Sequence, residues 1–284
     1  NLYPFKNDIE IREGDLESKS FCNEAFTDCD VVYHLASRAF GIGYSSQNQL
    51  EMLIHNERVT TNLIDTLRKV KPKKLLITSS SCVYDDNSLT PIIEAPIFDG
   101  YPEYSNRGYG WAKRFLEQKS ILLSQETGIN LITVRPFNIY GETYKWRGDA
   151  SQAIPMLVKK ILSKEKSIEV WGSGDQRRSY IHALDCARIM HKLMELNYNC
   201  GPVNIGTQET VSIKNLISII SKLSQYKPKI NFNINKPEGR HNKSSNINLL
   251  SEILPNFQYS VTLEEGMKRM LDWYSKVFDP KNSE

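Results

Sequence analysis

Val31-Val32-Tyr33-His34-Leu35 and Leu75-Leu76-Ile77-Thr78-Ser79 are short apolar, β-branched runs, and Leu50 to Arg68 between them repeats its apolar residues at helical spacing. Leu53, Leu63, Ile64 and Leu67 share one face of that stretch, and Glu57, Arg58 and Arg68 fall on the wet side. Strand, amphipathic helix, strand predicts parallel pairing, because parallel neighbours need a crossover and a helix supplies it. Upstream the rhythm predicts a strand at Ile9 to Arg12 and a helix at Ser18 to Thr27; downstream, a helix at Tyr109 to Thr127 and a strand at Leu131 to Val134. The expected class is α/β, a doubly wound, Rossmann-like parallel sheet.

After Gly141 the pattern loosens. Helices are expected at Ala153 to Leu162, Leu184 to Leu196 and Ile213 to Leu223, with strands at Ile168 to Trp171, Val203 to Ile205 and Ile230 to Ile234. Ser212 is placed as an N-cap, and Thr262 with Glu265 as a capping box opening a last helix, Leu263 to Val277. Polar loops at Thr143 to Gln152, Gly172 to Arg178 and Lys236 to Ser245 interrupt these elements. The division expected is a cofactor domain over 1–141 and a smaller α/β substrate-binding lobe over 142–284, some of whose segments return to the first domain.

Composition narrows the function classes. The 284 residues are 40% hydrophobic and 24% charged, which is ordinary globular usage. Thirty-six Lys and Arg against 33 Asp and Glu leave +3, too little to argue for a nucleic-acid or membrane surface. No apolar run reaches the ~20 residues of a bilayer span, so a membrane partner is not expected. Cys22, Cys29, Cys82, Cys186 and Cys200 are scattered without metal-ligand spacing, which predicts no metal site and fits a reducing cytoplasm.

Tyr109-Gly110-Trp111-Ala112-Lys113 puts a phenol and an ammonium four residues apart on one helix face. An ammonium beside a phenol lowers its pKa from ~10 toward the working pH, although this spacing also occurs by chance on many helices. Leu75 to Thr78 runs into Ser79-Ser80-Ser81-Cys82-Val83-Tyr84, and Val134-Arg135-Pro136-Phe137-Asn138 is a second strand with a polar tip. The C-terminal ends of such strands are where open α/β sheets bind ligands.

These pieces resemble the extended short-chain dehydrogenase/reductase superfamily, specifically its NAD-dependent sugar-nucleotide epimerases and dehydratases. Gly14-Asp15-Leu16, His34-Leu35-Ala36, Asn56, the Ser cluster, the Tyr-Lys pair, Asn138, Gln176 with Arg178, Asn204-Ile205-Gly206 and Gly239-Arg240 come in the family's order. The resemblance implies Tyr109 as catalytic base with Lys113 as its partner, Ser80 bonding the sugar oxygen, and NAD or NADP as cofactor. Asp15, Leu16, Leu35, Ala36 and Pro136, with Tyr109 and Lys113, would line that cofactor. A nucleotide-diphosphate sugar would be held by Gly41, Gly43, Asn138, Arg178 and Arg240, the guanidinium groups pairing with its phosphates. A homodimer is implied through the helices at Leu50 to Arg68 and Tyr109 to Thr127, with Met52, Phe115 and Leu122 available for the contact or for the core. Cys82 resembles the thiol that GDP-mannose 3,5-epimerases and GDP-fucose synthases use to move a carbon-bound proton; the alternative is a small core cysteine. The implied reaction is epimerisation through a transient keto-sugar. A reductase or dehydratase, or a sugar-nucleotide binder without catalysis, are the alternatives.

Two departures stand out. The family's G-x-x-G-x-x-G turn, which cradles the cofactor pyrophosphate, is absent, as are the first strand, helix and second strand around it; the expectation is a fragment of a longer protein. The second acid or base expected after Tyr140-Gly141 counts to Gln152, which cannot exchange a proton at neutral pH, while Lys145 and Lys159 are out of register. Arg147 and Arg177 are read as exposed loop arginines.

Overall fold

The computed structural model describes residues 2, 5–144, 151–236 and 239–277. Helix α1 (Lys19–Ala25) leads to strand β1 (Val31–His34), a one-turn helix α2 (Ile42–Ser45), the long helix α3 (Gln49–Val70) and β2 (Lys74–Thr78). Next come α4 (Arg107–Thr127), β3 (Asn130–Pro136), β4 (Ile139–Tyr140), α5 (Ala153–Leu162), β5 (Ser167–Trp171), β6 (Arg177–Arg178) and β7 (Ile181–His182). Helix α6 (Ala183–Met194), β8 (Cys200–Ile205), β9 (Val211–Ser212), α7 (Ile213–Ser224), β10 (Lys229–Asn233), β11 (Asn242–Lys243), α8 (Asn248–Ile253) and α9 (Leu263–Val277) follow. Lys145 and Arg147 lie outside the described residues.

Four parallel strands form the central sheet in the order β1-β2-β3-β8, with Val32 opposite Leu75, Leu76 opposite Ile132 and Val134 opposite Val203. Leu75, Leu76 and Ile77 are consecutive and all buried, because helices cover both faces. On one face α3 and α4 pack through Leu63, Leu67, Leu116 and Leu123; on the other, α6 and α8 pack through Ile189, Leu193 and Leu250. A separate core gathers Leu157, Ile161, Ile168, Leu216, Ile220, Met270 and Tyr274 from α5, β5, α7 and α9. Gly128, with φ +78°, ends α4, and Ser212 Oγ caps α7 by accepting from the Asn215 amide at 3.1 Å.

Two expectations are corrected. Ile9 to Arg12 forms no strand: no ladder partner lies beside it among the described residues, Ile9 and Ile11 are exposed, and Arg12 reaches instead to the carbonyls of Glu24 and Ala25 at the end of α1. Met52 is not available for a subunit contact, because it is 2% exposed on the inner face of α3.

A buried charged network fastens β3 to its surroundings. Arg135 donates to Glu117 Oε2 of α4 at 2.7 Å, to the Tyr84 hydroxyl at 3.1 Å and to the Ala95 carbonyl at 2.7 Å. Tyr84 in turn donates to Asn204 Oδ1 at 2.5 Å, and Ser79 donates to Glu117. Full pairing is what makes these buried charges tolerable.

Candidate active site

Because the strands are parallel, β1, β2 and β3 end on the same side, and the hydroxyl-rich turn after β2 lies there. Ser80 precedes a short 3₁₀ turn, Ser81–Val83, and its Oγ accepts from the Cys82 amide at 3.1 Å. Lys113 donates to the Thr78 carbonyl at 2.7 Å, and its ammonium sits 5.5 Å from the centre of the Tyr109 ring. The Tyr109 hydroxyl lies 3.5 Å from Ser37 Oγ, and the Ser80 hydroxyl is near enough to favour its ionised form. Tyr109, Lys113, Ser80 and Cys82 therefore meet at one strand end.

The electrostatics differ from the sequence expectation. Burial pushes the Tyr109 phenol above its ordinary value, and the Ser37 and Ser80 hydroxyls only partly oppose this. Lys113 lies over the ring rather than at the oxygen, and burial brings its own ammonium down to about 8. His34, at the end of β1, is buried and stays neutral: burial and then the Lys113 charge carry it down to about 3.

Packing fixes where Tyr109 stands. A Cβ on Gly108 would collide with the Gln49 carbonyl, and one on Gly110 would sit 2.6 Å from the Cys82 carbonyl oxygen. Glycine on both sides of Tyr109 thus lets the start of α4 press against α3 and the Cys82 turn. The Gly108 amide also donates to Gln49 Oε1 at 2.7 Å.

Cys82 has a partner that sequence reasoning missed, and that partner is itself held by a carboxylate. Lys243 donates to its Sγ at 3.3 Å and also to the Glu103 carboxylate, both charged groups being about 5% exposed. Burial raises the Cys82 thiol, and Lys243 opposes that rise. Burial alone would also raise Glu103, but Lys243, with Arg178 and Ser105, outweighs it and the carboxyl falls to about 2. Lys243 and Cys82 are 161 residues apart, so no local spacing could have announced the pair.

The residues read as a sugar-nucleotide grip also assemble. A Cβ on Gly43 would lie 3.0 Å from the Trp171 ring, and one on Gly239 would lie 3.1 Å from Ile42 and 3.5 Å from Arg178 Nη2. Gly41 caps α2, so α2, Arg178, Trp171 and Gly239 form one wall. Arg178 pairs with Lys243 along β6 and β11. Arg240 is half-buried and donates to the carbonyls of Asp85 (2.9 Å) and Ser88, which ties its loop to the turn after β2. Asn138 donates to the Ser179 carbonyl at 2.8 Å. Pro237 and Glu238 lie outside the described residues.

Around the cofactor positions, Leu35 and Ala36 are exposed beyond β1. The loop they open is held by Asn56, which accepts from the Arg38 amide at 2.9 Å and donates to the Arg38 carbonyl at 3.1 Å. Asp15 is exposed, and Leu16 is anchored to α3 by Asn62 at 3.0 Å. Arg38 and Glu17, 3.8 Å apart, join the two segments. Pro136 is buried opposite Ile205. Among the described residues no group of His, Cys, Asp and Glu could hold a metal ion, and no helix is long and apolar enough to cross a membrane.

The chain is similar to known proteins over most of its length. It is 24% identical to GDP-L-fucose synthase of Dictyostelium discoideum, across 86% of this chain and 77% of that protein. It is 26% identical to GDP-mannose 3,5-epimerase of Arabidopsis thaliana, across 95% of this chain and 71% of that protein. The structure of UDP-N-acetylglucosamine 4-epimerase from Methanobrevibacter ruminantium M1 in complex with UDP-N-acetylmuramic acid matches with a TM-score of 0.85 at 23% identity, covering 97% of this chain and 86% of that one. Residues 3–206 match the NAD dependent epimerase/dehydratase family, and the chain belongs to that family.

Proposed function

We propose that this chain is an NAD(P)-dependent sugar-nucleotide epimerase that works through a transient keto-sugar. The observation that carries the reading is the meeting of Tyr109, Lys113, Ser80 and Cys82 at the ends of β1 and β2. The residues present fit the nicotinamide-ribose end of the family's cofactor. Lys113 is a buried ammonium at the strand end, and Thr78, whose carbonyl holds it, has a buried hydroxyl without a hydrogen-bond partner among the described residues. Bound NAD(P) supplies the hydride acceptor and donor.

The chain's own groups handle the protons. Ser80 Oγ, beside Tyr109, is suited to bond the sugar oxygen being oxidised. Tyr109, once deprotonated, takes the hydroxyl proton, with the Lys113 ammonium 5.5 Å from its ring centre as the neighbouring cation, and the phenol returns the proton when the ketone is reduced. A ketone acidifies the neighbouring C–H, and Cys82 exchanges that proton. The named activities of the relatives support a nucleotide-diphosphate sugar as substrate, with α2, Trp171, Arg178 and Gly239 as its wall and Arg178 and Arg240 as phosphate ligands. The exposed Ile54, Ile121 and Leu122 (54% exposed) on the outer faces of α3 and α4 support a homodimer.

Tyr109→Phe tests the reading. Turnover is expected to fall by about 10²–10⁴-fold, the usual worth of a general acid–base group, with the circular dichroism spectrum unchanged. Undiminished turnover would remove Tyr109 from the chemistry.

A further inference from the structure

A thiol that exchanges a carbon-bound proton must reach its thiolate form, and burial disfavours that form at Cys82. The described charges around it come from both lobes. Lys243 touches Sγ at 3.3 Å from β11; Glu103 binds Lys243 from the loop before α4; Tyr109 and Lys113 face the thiol from α4. Arg178 and Arg240 act on Glu103 from the second lobe. Lys243 is a cation in contact with sulfur, and Glu103 fixes its position with an ion pair.

We propose that Lys243, clamped by Glu103, is a positioning residue that stabilises the Cys82 thiolate and so equips Cys82 for proton exchange at the carbon beside the transient ketone. This rests on the reading of Cys82 given above. In the step, the thiolate takes the carbon-bound proton and an S–H bond forms. The C–H electron pair moves into an enolate, with the charge on the former ketone oxygen. Return of a proton from sulfur to that carbon re-forms the ketone, with no net oxidation or reduction. Lys243 does not take the role of the second acid or base that counts to Gln152. Lys243 serves the thiol itself, whereas a second acid would stand across the ring.

The test needs no turnover, so it separates from the failure of the epimerase reading. Alkylation of Cys82 by iodoacetamide is followed across pH by peptide mass spectrometry, which distinguishes it from Cys29. Lys243→Met is expected to slow alkylation near neutral pH by about tenfold and to move the midpoint up by about one pH unit, with Lys243→Arg restoring most of the rate. Lys243→Met alone leaves Glu103 as an unpaired buried charge that can unfold the protein, so Lys243→Met combined with Glu103→Gln is measured as well. A pH profile unchanged from wild type in the double variant overturns the inference. The shifted profile supports thiolate stabilisation even where none of a panel of sugar nucleotides is epimerised, a result that would count against the epimerase reading alone, whereas undiminished deuterium exchange in Cys82→Ala would overturn the role given to Cys82.

Discussion

At the residue scale, the site divides into what spacing reveals and what folding brings together. Tyr109 and Lys113 were legible because four residues on a helix set a fixed geometry, and Ser80 and Cys82 because they follow an apolar strand at its C-terminal end. Glu103 and Lys243 were not legible: a carboxylate and an ammonium 140 residues apart carry no joint signal in the chain. Nor was the direction of the Tyr109 shift, since it depends on burial rather than on the neighbour's identity. His34 gives a residue-scale prediction. Its folded pKa, about 3, lies below the ordinary 6.5, so between these values the unfolded chain binds a proton that the native state refuses. Stability from this group is full above about pH 6.5 and is lost as pH falls toward about 3, by up to about 1.4 kcal/mol per pH unit. Denaturant titrations across that window should show a steeper acid loss for wild type than for His34→Gln. Parallel slopes would mean that His34 accepts its proton in the folded protein.

At the element scale, α3, α4 and the strands β1 to β3 followed from periodicity, because each buries a continuous face against the sheet. Ile9 to Arg12 misled for a matching reason: alternation describes a strand only where a neighbour completes its ladder. The two-residue strands β6, β9 and β11 escaped notice because Arg178 pairs with Val211 and Lys243, residues set far along the chain. The glycines around Tyr109 also change meaning once the elements pack. In the sequence they only flank the Tyr109 of the Tyr-Lys pair; in the fold they permit the close approach of α4 to Gln49 and Cys82. Gly110→Ala should therefore cost about 1–3 kcal/mol of stability through overpacking and lower turnover by displacing Tyr109. Thermal unfolding and turnover on the same sample check this, and a variant as stable and active as wild type would show that the Cys82 turn can retreat.

At the scale of the whole molecule, the turn after β2 is tied down by residues from far along the chain. Arg240 holds that turn from the loop before β11, and Lys243 ties Cys82 to Glu103. The parallel α/β architecture was legible in the order of strands and helices, whereas these long-range ties depend on contacts that only the folded chain makes. The proposed homodimer leaves a hydrodynamic signature: sedimentation at micromolar concentration should give twice the chain mass, and Leu122→Glu should shift it toward the monomer. A wild-type monomer under those conditions would reject the dimer. The central claim is that a ketone made at Tyr109 acidifies a neighbouring carbon whose proton Cys82 moves. Its most direct measurement is deuterium incorporation, followed by nuclear magnetic resonance, into a panel of GDP- and UDP-sugars incubated with the protein and NAD(P) in heavy water. The account predicts incorporation beside the oxidised carbon in wild type, and its loss in Cys82→Ala while transient cofactor reduction persists; undiminished incorporation in Cys82→Ala would contradict it.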